Sequence, residues 1–182
     1  MASVTTSLAM VLIVLASLSY SLPSSHADID FITRTCKKTS NAALCVAVLS
    51  ADPESGQFFT EHDLASTALK IVTDTIKKNA EVIKNLGDKY RGTLEGSMWD
   101  VCVMVHDIAA GQLEIDARPS FNRGDYAYAS DVVSVVKGVG DACENAFKEV
   151  QRKSPLTDMD RQTTERCDVA IDLIGLLITN SK

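Results

Sequence analysis

The sequence predicts an all-α protein, an up-down-up-down four-helix bundle preceded by a short N-terminal helical hairpin. Three observations predict it. Apolar residues recur at helical spacing through four long segments after residue 60. Strand signals are nearly absent, and the one β-rich patch, Val132-Val133-Ser134-Val135-Val136, is flanked by helical periodicity. Cys36 and Cys45 bracket a short stretch that reads as two brief helices with a break between them.

The chain opens on a leader. Residues 8–16 read LAMVLIVLA, and the small residues Ser25 and Ala27 flank a signal-peptidase-like site. Residues 1–27 are therefore read as a secretory signal peptide, cleaved after Ala27, and 28–182 as one domain. The apolar run falls short of the ~20 residues a membrane span needs. Residues 1–7 lack Lys and Arg, a departure from the usual basic start. All 24 acidic and 18 basic residues follow the leader, giving a net charge of −6. No Lys/Arg cluster is present to neutralise a run of phosphates, which excludes nucleic acid as a partner. With a sequence pI near 5.0, the chain approaches neutrality in an acidic space, where long-range steering is weak.

A secreted chain with Cys36, Cys45, Cys102, Cys143 and Cys167 is a disulfide candidate. Neither the paired close spacings of a zinc site nor a C-x-x-C redox motif occurs. The Cys36/Cys45 pair reads as a staple. It would close a hairpin of helices at 29–38 and 41–50, broken at Thr39-Ser40. Closing so short a loop contributes roughly 3 kcal/mol, which matters to helices too short to persist alone. The hairpin occupies 28–51 and the bundle 60–180, with Asp52-Pro53-Glu54-Ser55-Gly56 as a turn-rich linker.

The first bundle helix is expected from Glu61 to Leu86, with its apolar stripe at Leu69, Val72, Ile76, Ala80 and Ile83. Gly87-Asp88 ends it. The second is expected from Lys89 to Ala117, with Leu94, Met98, Val101, Val105 and Ile108 facing inward and Pro119 stopping the chain. The third is expected from Tyr126 to Arg152, with Ala129, Val132, Val136, Cys143, Phe147 and Val150 on one face. Gly138 and Gly140 interrupt that helix. The fourth is expected from Asp158 to Asn180, with Thr163, Cys167, Ala170, Ile174 and Leu177 inward. Cys102 and Cys143 fall on neighbouring antiparallel helices, where a bridge would be worth roughly 4 kcal/mol. Cys167 lies on an apolar stripe and reads as a buried thiol. With Cys167 set aside, three pairings stay open.

Catalytic signatures are missing: no G-x-S-x-G elbow, H-E-x-x-H, P-loop or G-x-G-x-x-G occurs. The mature chain holds His62 and His106, neither in a ligand-like array. His106-Asp107 reads as a surface pair, since adjacent helical side chains diverge by about 100°. Glu114 and Asp116 do not share a face, and Glu144/Lys148 is a solvated i,i+4 pair. These residues read as a non-enzyme without cofactor or metal. The corner between the second and third helices, Phe121-Asn122-Arg123-Gly124-Asp125-Tyr126-Ala127-Tyr128, sets aromatics beside an arginine. Such a corner suits an interface, while the plainer reading packs Phe121 and one Tyr beneath it as a cap.

Taken together, the chain resembles the plant invertase/pectin methylesterase inhibitor family. The resemblance rests on the signal peptide, the C-x8-C and C-x40-C pairs, and the opening Cys36-Lys37-Lys38-Thr39 with Cys45, Leu49, Asp52-Pro53 and Ser55. Further on it rests on Phe121, Asp125-Tyr126 and Cys143-Glu144-x-x-Phe147. It implies a hairpin followed by a four-helix bundle, disulfides Cys36–Cys45 and Cys102–Cys143, and a free Cys167. It also implies a secreted inhibitor that occludes a carbohydrate-active enzyme, either acid invertase or pectin methylesterase, in the apoplast or cell wall, with the vacuole as the alternative.

Invertase inhibitors of the family carry Pro-Lys-Phe after Gly-Asp at the third-helix corner, where this chain has Gly124-Asp125-Tyr126-Ala127-Tyr128. Pectin methylesterase inhibitors carry a Ser-Ala-Ala-Leu-like stretch, where this chain has Ser134-Val135-Val136-Lys137. The corner Phe-Asn-x-x-Asp-Tyr is similar to that of pollen-allergen members assigned as invertase inhibitors, which tilts the expected target slightly toward invertase. The expected contact residues are Phe121, Arg123, Asp125, Tyr126 and Tyr128. Two other classes stand beside this one: a small-ligand carrier, with room inside the bundle left by Gly138 and Gly140, and a non-inhibitory secreted helical protein on the same scaffold.

Overall fold

The computed structural model describes residues 24–52, 60–93 and 95–180. The apolar leader run and the linker residues Pro53 to Gly56 lie outside these residues. Helix α1 spans Ser24–Cys36, so it begins ahead of the expected cleavage after Ala27. Helix α2, Ala42–Ser50, starts at Asn41, whose side chain accepts from the Leu44 amide. The two form the expected hairpin, bridged by Cys36–Cys45 with a Cα–Cα distance of 5.5 Å. Ser40 donates twice to Asp172, from its amide at 2.8 Å and its hydroxyl at 2.6 Å, and so ties the hairpin bend to the last helix.

Helix α3, Glu61–Gly87, begins in a reciprocal capping box between Thr60 and Asp63. All five residues of its expected stripe are buried. Helix α8, Thr157–Asn180, likewise buries Thr163, Cys167, Ala170, Ile174 and Leu177 as expected. These two helices pack side by side. Buried Asn79 donates to the Thr163 hydroxyl at 2.9 Å between them, so neither polar group is left unpaired.

The second bundle helix departs from expectation in start, phase and end. A 3-10 turn at Asp88–Tyr90 follows α3, and α4 begins at Gly96, running to Gln112. Gly92, at φ +79°, breaks the helical path, and a Cβ on Gly96 would sit 2.7 Å from the Tyr90 carbonyl oxygen. Leu94 lies outside the described residues. The inward stripe is Met98, Cys102, His106, Ala109 and Leu113, whereas Val101 and Val105 are half-buried and Ile108 is exposed. Pro119 does not stop the chain. A wide π turn, Leu113–Ala117, leads into α5, Arg118–Asn122, and Pro119 sits in the first turn of that new helix. The chain keeps helical torsions through Ala117 and Arg118, and the wider π register just before Pro119 accommodates a residue with no N–H to donate.

The third bundle helix is two helices: α6, Tyr126–Val136, and α7, Val139–Glu149. The chain breaks at Lys137-Gly138, and α7 stops before Arg152 because Gln151 adopts φ +56°. That earlier end leaves Val150 exposed. A Cβ on Gly140 would lie 2.7 Å from the Asp160 Cβ, so this glycine permits close contact between α7 and α8 and leaves no ligand space there.

Helices α3, α4–α5, α6–α7 and α8 each pack against the next, and α8 closes on α3, giving the up-down-up-down bundle. Its interior has two parts. The larger is aliphatic and includes the hairpin staple. The smaller gathers Ile83, Met98, Trp99, Phe147 and Leu156 around Cys102–Cys143, whose Cα–Cα distance is 5.0 Å. Among the described residues no helix is long and apolar enough to cross a membrane.

Candidate functional site

The corner between α5 and α6 is built by local backbone chemistry. Gly124, at φ +82°, ends α5, with its amide bonded to the Phe121 carbonyl and the Asp125 amide bonded to the Ser120 carbonyl. Asp125 then caps α6, accepting from the Tyr128 amide at 3.3 Å. The direction of the corner is thus fixed by one glycine and one carboxylate.

The five expected contact residues lie together here but differ in what they can do. Phe121 is 1% exposed and supports the corner from below. Its ring lies 5.3 Å from that of the half-buried Tyr126, edge to face. Arg123 is exposed and donates to the Ser120 hydroxyl at 3.1 Å. Asp125 is spent on the cap, and Tyr128 stands outward, 48% exposed. The structure adds His62, from the first turn of α3, whose ring lies 4.8 Å from Phe121 and 6.2 Å from Tyr126. Nothing in the local sequence around Glu61-His62-Asp63 points to a contact so distant along the chain. Beside it, Glu61 accepts from Lys38 at 2.6 Å and from Asn180 at 2.8 Å, so hairpin, α3 and α8 meet at this end.

His106 is not the surface residue expected from His106-Asp107. It is fully buried and donates from Nδ1 to the Cys102 carbonyl at 2.9 Å, with the Cys143 Sγ 3.9 Å away. Burial holds its pKa below the usual value, partly offset by the Cys102 carbonyl and the charge of Asp107. The ring therefore packs as a neutral part of the core. Asp107 points to solvent. Cys167 is buried, and burial, helped by Asp168, pushes its thiol up to about 12, which suppresses the nucleophilic thiolate.

Among the described residues, no group of three or more His, Cys, Asp or Glu converges as a metal site. An open groove of about 640 Å3 runs between α2, α3 and α8, with apolar Leu44, Val48 and Ile71 beside charged Asp74, Lys78 and Glu165. It is a surface groove and not a sealed apolar interior.

Fold and site define a disulfide-stapled helical bundle that presents shaped surface. Residues 30–173 match the family described as plant invertase/pectin methylesterase inhibitor. This chain belongs to that family, whose members are inhibitors and not themselves enzymes. It is 24% identical over 172 residues to a pectinesterase inhibitor of Actinidia deliciosa, covering 94% of this chain and 91% of the relative. The fold is similar to two crystal structures. One is mutant form A of a pectin methylesterase inhibitor from Arabidopsis, with TM-score 0.66, 18% identity, and coverage of 80% of this chain and 95% of that one. The other is a pectin methylesterase inhibitor from Arabidopsis thaliana, with TM-score 0.58, 20% identity, and coverage of 81% and 96%.

Proposed function

We propose that this chain is a secreted inhibitor of pectin methylesterase, acting by occlusion outside the cell. The observation that carries the target is the relationship, spanning nearly the full length of both chains, to a protein named as a pectinesterase inhibitor. Physical chemistry supports the mode of action. Two disulfides and a capped corner hold the binding surface before the partner arrives, so little entropy is lost on docking. In this reading Tyr128 and Arg123 reach the enzyme, Tyr126 contributes its exposed edge, and Phe121 and Asp125 hold the corner in shape.

Acid invertase is the second reading, favoured by the corner Phe121-Asn122 with Asp125-Tyr126. One experiment separates the two. Oxidised protein lacking residues 1–27 is added to pectin methylesterase and to acid invertase at acidic pH. Inhibition of the esterase alone at micromolar concentration is the expected result. Inhibition of invertase alone transfers the assignment, and activity of both enzymes throughout leaves a non-inhibitory member of the scaffold.

A further inference from the structure

Helix α2 is apolar all round. Ala42–Ser50 holds no charged residue, yet only Cys45 and Leu49 of it are buried. Such a helix ordinarily lies inside a protein. Here Leu44, Val48 and Ala51 recur at i, i+4 and i+7 spacing and line one side of the open groove of about 640 Å3 against α3 and α8. That line is roughly 10 Å long. The volume is in the range of a small-molecule site.

The facing wall of α3 presents Ile71, Thr75 and Lys78 at the same spacing, and so grades from apolar to cationic. Arg166 of α8 reaches across to that wall. It donates from Nη1 to the buried Thr75 hydroxyl at 2.6 Å, and this hydroxyl donates to the Ile71 carbonyl at 2.6 Å. The guanidinium is thus held in place by an uncharged group. It is half-buried, and no carboxylate pairs with it among the described residues. Most of its N–H donors are left over for a ligand. The acids beside it are engaged elsewhere: Asp74 pairs with Lys70 at 3.2 Å and Glu165 with Arg161 at 2.6 Å. Asp52, just beyond α2, is the remaining acid on the lining. Lys78 is exposed and has no paired carboxylate among the described residues. A half-buried cation on an apolar floor is unfavourable until an anion meets it.

We propose that this groove binds a small carboxylic acid with an apolar body about 10 Å long. Its carboxylate meets Arg166 and Lys78, and its body lies on Leu44, Val48 and Ile71. The planar fork of an arginine fits a carboxylate through two parallel bonds, and the apolar wall fixes which way the acid lies. The site is separate from the α5–α6 corner and does not depend on which enzyme that corner meets. A bound acid would tie the hairpin to α3 and α8, and so would stabilise the folded chain by mass action. A second copy of this chain fits poorly, because a two-fold contact would bring Lys78 and Arg166 against their own equivalents.

The test uses oxidised protein lacking residues 1–27, with decanoate as the probe. Titration calorimetry is expected to give one site with a Kd on the order of tens of micromolar. Saturating decanoate is expected to raise the melting temperature. Decanol, which has the same body and no charge, is expected to bind at least about tenfold more weakly. Arg166→Gln keeps a donor for Thr75 and removes the charge, and is expected to weaken decanoate at least about tenfold while the ligand-free protein melts close to wild type. Lys78→Gln changes an exposed position and is expected to weaken decanoate several-fold with no change in fold. Val48→Ser is expected to weaken both probes. Decanol binding as tightly as decanoate, or decanoate binding unchanged in both charge variants, overturns the assignment of a carboxylate. No saturable binding of decanoate below about a millimolar overturns the site itself. Self-association in sedimentation that Val48→Ser abolishes, with decanoate unbound, makes the groove a contact between copies and overturns the proposal.

Discussion

The two parts of the interior are held by different means. The end carrying Trp99 is small and relies on aromatic mass and a crosslink. Trp99 stacks on Tyr90 at 5.6 Å and meets Phe147 edge-on at 5.2 Å, over the Cys102–Cys143 bridge. The end carrying the α5–α6 corner has a broad aliphatic core in which helices α3, α6 and α8 interlock, with the free Cys167 inside it. Its disulfide lies in the hairpin. Where α3, α6 and α8 overlap along their length, aliphatic packing fills the interior and the staple lies at its hairpin edge. Where α4 starts late and α7 stops early, fewer apolar residues overlap, and a covalent tie between those two helices compensates.

Trp99→Ala is the most direct way to break the smaller end. Removing a buried tryptophan is expected to cost about 3–5 kcal/mol, read as a lower urea midpoint with little change in its slope. The loss is expected to uncouple the ends, so that hydrogen exchange accelerates in α4 and α7 near the bridge more than in α6. Uniform acceleration would show that the two interiors unfold as one.

Cys36→Ala with Cys45→Ala tests the opposite end. Loop closure over so short a segment predicts a loss of up to about 3 kcal/mol. It is expected to fall on the hairpin first, where Ser40–Asp172 and Lys38–Glu61 still tie the bend to α8 and α3. Limited proteolysis within 36–45, with the bundle's melting nearly unchanged, is the expected outcome.

Helix phase was readable where polar residues stayed out of the way. Helices α3 and α8 have charged outer faces, so their stripes pointed inward without ambiguity. Helix α4 is apolar on both sides, and its buried stripe includes His106, a residue that reads as polar. A stripe through Val101, Val105 and Ile108 therefore looked as good as the true one. Pro119 read as a stop because local rules do not anticipate a π turn that starts a fresh helix beneath it. The corner was visible as a cluster of residue types, but their roles were not. Whether Phe121 touches a partner or supports Tyr126 depends on His62, which reaches it from another helix.

A smaller effect is expected at the α7–α8 contact. Asp160 is 5% exposed, and as a carboxylate it accepts no hydrogen bond among the described residues, whereas in its protonated form it can donate to Glu144. Glu144 and Asp141 face it from α7, and on its own helix Arg161 is engaged with Glu165 and Asp158. Burial first, then Glu144, raises its pKa from 3.8 to about 7. The folded state thus holds a proton that the unfolded state releases. Stability from this group is full below the unfolded value and is lost as pH rises through the folded one. The melting temperature is expected to drop by several degrees from pH about 5 to pH about 8. Asp160→Asn is expected to flatten that slope. An equally steep slope in the variant would place the titration elsewhere.

Tyr128→Ala is expected to have the smallest effect on the fold and the sharpest consequence for the comparison. The side chain is nearly half exposed, and the bond that Asp125 accepts comes from the Tyr128 backbone amide, which the substitution keeps. Stability is therefore expected to stay within about 0.5 kcal/mol of wild type. If the corner meets the enzyme, inhibition of pectin methylesterase falls about tenfold, because an exposed tyrosine on a rigid turn is the kind of side chain that anchors an interface. Phe121→Ala gives the opposite pattern, a destabilised end with inhibition reduced through loss of shape, since that ring supports both His62 and Tyr126. The pair distinguishes contact from support. Equal inhibition by Tyr128→Ala and wild type, at equal stability, would move the contact off the corner while leaving the fold account intact.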